Sequence, residues 1–230
     1  MRSGIFAFAA LMAVAAPALA QTTEQPATGL APGAAASPQN PAEHFKAYAT
    51  SEGYKKTIGQ MAVMGSTVSH PDCKDQKALN RAEMIFYVYP QFAEGMHPVS
   101  GVWQDRIRME TCGQTTYQNI LLEAQTGGLP PKIALLMPGL TVATPPAQNL
   151  ILKDVIDGLT AKKCADTTKI IPVDTAMDKE TKPRKVNDKG VLVQGAWKET
   201  WTFRACGKNV KANVELSADG KGGLTHKVKL

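Results

Sequence analysis

The chain has 230 residues, and its 26 basic and 20 acidic side chains give a formal net charge of +6. This mild positive excess is typical of an ordinary solvated surface, and it also suits contact with anionic polymers or lipids. Long apolar segments are absent beyond the N-terminus, which excludes a protein with several membrane spans and predicts a soluble mature chain.

Residues 1–20 predict a cleavable secretory signal peptide. Arg2 gives a short positive start, residues 5–15 (IFAFAALMAVA) form an apolar core, and Pro17 interrupts it before a small-residue cleavage motif that ends at Ala20. A transmembrane anchor would need roughly 20 apolar residues, and this run is shorter. The alanine-rich signal indicates a bacterial protein exported to the periplasm or the medium.

Residues 21–39 predict a flexible tether. They are rich in Ala, Pro, Thr and Gly and hold one charge, Glu24. Almost no large apolar side chain is present, so the segment cannot bury enough surface to offset the entropy lost on ordering. The folded part is predicted to begin at Asn40, which can cap a helix, with Pro41 at the first helical position and Glu43 completing a capping box.

The rest of the chain contains an internal repeat. Residues 101–113 (GVWQDRIRMETCG) and 195–207 (GAWKETWTFRACG) match in register at Gly, Trp, an acid, two large apolar positions and Cys-Gly. Each Cys-Gly precedes a strand-like stretch, a Gly-Gly turn and a second apolar stretch. Self-similarity in a fixed order indicates duplication, so we predict two units, residues 40–141 and 142–230.

The hydrophobic spacing predicts the elements of each unit. Apolar side chains recur at helical spacing in residues 58–65 and 152–159, ahead of a cysteine in each case. The two Trp segments alternate apolar and polar residues, which predicts half-buried antiparallel strands. Residues 84–89 and 169–173 are shorter strand candidates. The predicted fold class is α+β, with two similar disulfide-stapled units, each a helix packed on an antiparallel sheet.

Four cysteines in an exported chain predict two disulfides. The repeat favours pairing within each unit, Cys73 with Cys112 and Cys164 with Cys206, while bridges between the units stay open as the alternative. A zinc site or a redox-active dithiol would favour closely spaced Cys-x-x-Cys pairs, and the sequence has none.

The sequence contains no HExxH, GxSxG, GxxxxGK[ST] or GxGxxG motif. No metal, nucleotide or other cofactor is therefore predicted. The Gly-Gly segments lie between strand-like runs, so we interpret them as hairpin turns and not as phosphate-binding loops.

An acid interrupts the apolar face of each Trp strand. Asp105 follows Trp103 by two residues, and Glu199 follows Trp197 in the same way. Burying a carboxylate is costly unless it is paired or hydrogen-bonded. The acids are either structural acceptors near a rim or turn, or a duplicated ligand site whose two carboxyls face each other and act as acid and base towards a glycan. The tryptophans are either core residues or stacking surfaces for that ligand.

A basic run, Lys179, Lys182, Arg184, Lys185 and Lys189, occupies a Pro-containing segment with few apolar residues. This composition predicts a solvated, mobile connection between strands. Its functional interpretation is an arm that contacts anions through Lys182, Arg184 and Lys185.

Together these features favour a non-enzymatic binding or interaction module of the bacterial envelope. Its expected partner is an anionic envelope component or an envelope protein, and not nucleic acid, because export separates the chain from it. An envelope-glycan hydrolase that uses Asp105 and Glu199 is the first alternative. A periplasmic carrier of a lipid or another apolar ligand, held between the two units, is the second.

We expect the exported protein to begin at Gln21, because the signal peptidase would cut after Ala20. N-terminal sequencing of protein recovered from the periplasm or the medium checks this prediction. Retention of Met1 on membrane-bound material would contradict it.

Overall fold

Two antiparallel sheets of four strands each, with helices packed against them, make up the described part of the chain. The computed structural model describes residues 40–162, 164–188 and 191–230. The predicted signal peptide and tether therefore lie outside the described residues, as does Lys189.

The first lobe, residues 40–135, places two helices before its sheet. Its elements are α1 (Pro41–Thr50), α2 (Glu52–Ser69), β1 (Gln76–Gln91), β2 (Ser100–Thr111), β3 (Gln114–Glu123) and β4 (Lys132–Leu135). The strands pair in chain order, β1-β2-β3-β4. The apolar face of α2 packs on β1, β2 and β3 and buries Ile58 and Ala62 against Trp103.

The second lobe, residues 145–230, repeats this arrangement with one long helix. Its elements are α3 (Pro145–Lys162), a single 3-10 turn (Thr167–Lys169), β5 (Ile170–Val186), β6 (Leu192–Ala205), β7 (Lys208–Ala218) and β8 (Leu224–Lys229). The strands again pair in chain order. The α+β class with two disulfide-linked, helix-covered sheets is therefore confirmed.

The helix start predicted at Asn40 is confirmed. The Asn40 side chain accepts a hydrogen bond from the Ala42 backbone N–H at 3.1 Å, which satisfies one of the unpaired donors at the start of α1. Ser51 separates α1 from α2 and caps the second helix by accepting from the Tyr54 N–H at 3.3 Å.

The Cys-Gly pairs of the repeat form the turns that close the two central hairpins. Cys112 and Gly113 have φ values of +48° and +75°, and Cys206 and Gly207 have +47° and +80°. Positive φ at both central residues is the signature of a two-residue type I′ turn, which matches the twist of the flanking strands. Each turn thus places its cysteine beside the cysteine that follows the helix of the same lobe.

Both disulfides join residues of the same lobe, as predicted. Cys73 is bonded to Cys112, and Cys164 is bonded to Cys206. Each bridge closes a loop of about 40 residues, for which the chain-entropy model gives roughly 4 kcal/mol of stabilisation.

The prediction of a mobile loop at the basic run is wrong. Lys182, Arg184 and Lys185 lie in β5, which pairs with β6 over most of its length. The distal part of β5 is exposed on both faces, so its sequence lacks the alternation that marks a half-buried strand. Pro183 is tolerated because β5 is an edge strand of its sheet.

The repeated glycines two residues before Trp103 and Trp197 mark a close approach of the neighbouring strand. A Cβ on Gly101 would lie 2.6 Å from the Pro90 Cα, and one on Gly195 would lie 2.7 Å from the Arg184 Cγ. A shift in pairing register also recurs in the two edge strands. In β1 it follows Ala78, which pairs with Met109, and in β5 it follows Pro172, which pairs with Phe203. These shared details extend the sequence repeat to the backbone.

Residues 136–144, here called the connector, are held by both lobes. Asn119 of the first sheet donates to the carbonyls of Met137 and Gly139 at 2.7 and 3.0 Å. On the other side, the Leu140 N–H donates to the Thr175 carbonyl of β5 at 2.6 Å. Met137 also belongs to the second apolar core, although the predicted boundary at residue 141 puts it in the first unit.

Among the described residues, no helix is both long and apolar enough to cross a membrane.

Candidate functional site

Asp105 is buried beneath α2 and is held by groups of the first lobe, although its Oδ1 makes an ion pair without hydrogen-bond geometry. Its carboxylate accepts a hydrogen bond from the Tyr54 hydroxyl at 2.7 Å and lies 2.7 Å from Arg81 Nε in an ion pair. The same Tyr54 oxygen accepts from the Trp103 indole N–H at 2.8 Å. The carboxyl is fully shielded from solvent, and this burial raises its pKa, while Arg81 acts in the opposite direction.

Glu199 takes the equivalent place in the second lobe but has different partners. Its two oxygens accept the indole N–H groups of Trp197 at 2.8 Å and Trp201 at 2.7 Å. The connector supplies two further donors, the Thr141 hydroxyl at 2.6 Å and the Val142 N–H at 3.1 Å. Four donors therefore surround a carboxylate that is completely buried.

The structure does not bring Asp105 and Glu199 to a shared surface. Asp105 is on β2 of one sheet and Glu199 on β6 of the other, and each is 0% exposed. The tryptophans Trp103 and Trp197 are 0% and 1% exposed. All four side chains form the inner face of their lobes, so in this structure none of them can touch a ligand in solvent.

The basic segment of β5 stays at the surface. Lys182 and Lys185 are exposed. Arg184 already has partners within the protein. It forms an ion pair with Glu180 at 2.9 Å, and its guanidinium lies 5.8 Å from the centre of the Trp197 ring. The predicted anion contact through these three cations remains a prediction.

A groove between α2 and β1 is the feature that sequence reasoning missed. Its inner part has a volume of about 400 Å³ and is bordered by Ile58, Gly59, Ala78 and Arg81. This volume lies in the range of about 300 to 1,000 Å³ that ligand pockets occupy. A shallower outer part shares Gly59 and Ala78 and continues along α2 towards Met64.

Gly59 keeps this groove, here called the α2–β1 groove, open. A Cβ placed on Gly59 would meet no atom within 4 Å, so the space above the backbone is empty. Glycine costs about 1 kcal/mol relative to alanine in a helix interior. Nothing packs against Gly59 closely enough to require glycine there, unlike Gly65 of the same helix, whose Cβ would lie 2.6 Å from the Gln118 side chain.

The second lobe has larger side chains at the corresponding positions. Helices α2 and α3 both span 18 residues. When they are aligned from their first residues, buried Ile58 matches buried Ile151. Leu152 then takes the position of Gly59. Pro172 pairs with Phe203 as Ala78 pairs with Met109. Leu152 packs against the second core. Together with Pro172 it borders a cavity of about 180 Å³ that Gly65 and Gln118 of the first lobe also line.

A polar cleft lies beside the first disulfide. It has a volume of about 500 Å³ and is bordered by His70, Asp72 and Arg204. Arg204 pairs with Asp72 at 2.9 Å, and Asp72 is almost fully exposed. Burial lowers the pKa of His70. Cys73, which also borders this cleft, is bonded to Cys112 and has no free thiolate.

Within the described ranges, no group of three or more His, Cys, Asp or Glu side chains is arranged to hold a metal ion. Comparisons with known proteins add no family: no family model matches the chain, no curated protein matches it, and no solved structure matches it.

We expect Glu199→Gln to destabilise the protein by about 3 kcal/mol, because an amide would turn its N–H₂ group towards buried donors and leave some of them unsatisfied. Urea unfolding at neutral pH measures this. The matched control is Glu215→Gln on β7, since Glu215 pairs with Lys198 and Lys229 at the surface and should cost little. Equal losses in the two variants would contradict a structural role for Glu199.

Proposed function

We propose that this protein is an exported, non-catalytic binding protein. The observation that carries the proposal is the burial of both candidate catalytic acids. Asp105 and Glu199 are each fully shielded and surrounded by structural donors of their own lobe or of the connector. Glycan hydrolysis needs two carboxyls on either side of one scissile bond, about 5 to 10 Å apart and open to the substrate.

The remaining features suit binding outside the cytoplasm. The N-terminal sequence has the pattern of a secretory signal, and two disulfides favour an oxidising compartment. In the described residues, the helix-covered sheets offer a preformed groove and a basic edge strand. An anionic envelope component is the partner class that fits the exposed Lys182 and Lys185 of that strand.

A second candidate function is carriage of an apolar ligand. The specific observation in its favour is the α2–β1 groove, whose walls include Ile58, Ala78 and Leu79. The groove lies within the first lobe, whereas the sequence suggested a site between the two units. This candidate therefore uses the α2–β1 groove, whereas contact with an anionic envelope component would use the basic edge strand β5.

We expect the purified mature protein to release no reducing sugar ends from peptidoglycan, because no acid and base reach a common substrate. The assay runs at several pH values between 4 and 8, with a lysozyme as the positive control. Release by the wild-type protein that is lost in a folded Asp105→Asn variant would overturn the non-catalytic assignment and favour the hydrolase.

A further inference from the structure

We propose that the α2–β1 groove binds a single acyl chain that ends in an anionic head, a carboxylate or a phosphate. This inference rests on the proposed binding function and names the class of ligand. The groove has a cationic end and an apolar end in sequence along α2, which is the arrangement that an anionic amphiphile requires.

The apolar end would hold the chain. From Gly59 and Ala78 the outer groove runs past Val63 and Met64. Met64 is 48% exposed and Leu79, beside the inner groove, is 43% exposed. Met64 borders the outer part and Leu79 the inner part, and such exposed apolar side chains gain burial when a chain lies against them.

The cationic end would hold the head. Arg81 borders the inner groove, and 30% of its side chain is exposed. Its Nε and Nη2 face Asp105 and the Ala49 carbonyl, whereas Nη1 has no acceptor in the part of the chain that the structure describes. Asp105 thus fixes the guanidinium in place with one nitrogen left for a ligand oxygen.

Two lysines near the start of α2 add positive charge to the groove. Lys55 borders both parts of the groove, and Lys56 borders the outer part. Lys55 pairs with Glu52 at 3.0 Å, but both side chains are mostly exposed. Exposed pairs of this kind contribute little stability, so Lys55 can turn towards an anionic head without a large cost.

The second lobe has different residues at the positions that form the groove in the first. Leu152 of α3 takes the place of Gly59. Thr175 of β5 takes the place of Arg81 of β1, because these two residues pair with the same position of the two Trp strands. Thr175 donates to the Pro138 carbonyl of the connector at 2.6 Å. The first lobe thus has a glycine and a cation at the groove where the second lobe has Leu152 and Thr175.

The experiment measures binding of laurate and of dodecyl phosphate to the mature protein by calorimetry, below the critical micelle concentration. We expect the protein to bind at least one of the two anions saturably, with one anion per chain. Dodecyl maltoside, which has an uncharged head, should bind more weakly. Shortening laurate to decanoate should weaken binding by about tenfold, given the free energy of burying two methylene groups.

The deciding variant is Gly59→Leu, which installs the residue of the second lobe in the groove. Leucine favours the helix over glycine, and its Cβ meets no atom, so the variant should remain folded while binding is lost. Gly53→Leu is the matched control, because Gly53 is also in α2 with no atom near its Cβ but does not border the groove; it should bind like the wild type. Changing Lys55 and Lys56 together to Gln should weaken binding by about threefold.

Saturable binding of either anion that Gly59→Leu abolishes and Gly53→Leu retains supports the proposal, and the preferred anion identifies the head. No saturable binding of either anion, or equal binding by the Gly59→Leu variant, overturns it. Equal affinity for dodecyl maltoside overturns the role of Arg81 and the lysines. None of these results bears on hydrolysis, so the peptidoglycan assay tests the non-catalytic function separately.

Discussion

A carboxylate buried on the helix-covered face of each sheet is the constraint that shapes the two lobes. An unpaired carboxylate in such a place would cost several kcal/mol, so each lobe must bring donors to it. The first lobe uses Tyr54 and Arg81, and the second uses its own tryptophans and the connector. The acid at this position thus has different partners in the two lobes. Different side chains therefore lie beside α2 and α3.

These two solutions leave different surfaces. In the first lobe, Arg81 reaches from the edge strand to Asp105 beside α2, and the small residues Gly59 and Ala78 leave a groove above it. In the second lobe, the connector crosses to Glu199, and its Gly139 packs so tightly that a Cβ would lie 2.3 Å from the backbone of Thr175. The connector therefore links the lobes and covers the region that stays open in the first. The two similar lobes thus differ at this place: the second is crossed by the connector, and the first keeps the α2–β1 groove.

The sequence predicted what depends on local pattern or on the repeat itself. The helix start at Asn40 and the alternating Trp strands depend on local pattern. The disulfide pairing followed from the repeat, because it aligned Cys112 with Cys206. The donors to Asp105 and Glu199 could not be predicted, since Tyr54 and Thr141 are more than 50 residues away from them in the chain. The exposed half of β5 was missed because no buried face imposes alternation there. A signal for the groove was present in Gly59, a glycine in the interior of an apolar helix, but its meaning required the position of β1.

An amide NMR titration of the mature protein with laurate tests the central claim, that the proposed ligand site lies in the first lobe and not in the second. The account predicts saturable shifts of the amides around Gly59 in α2 and Ala78 in β1. It predicts unchanged amides around Leu152 in α3 and Ile171 in β5, where larger side chains occupy the corresponding positions. Shifts centred on α3 and β5, or on the connector between the lobes, would contradict the account.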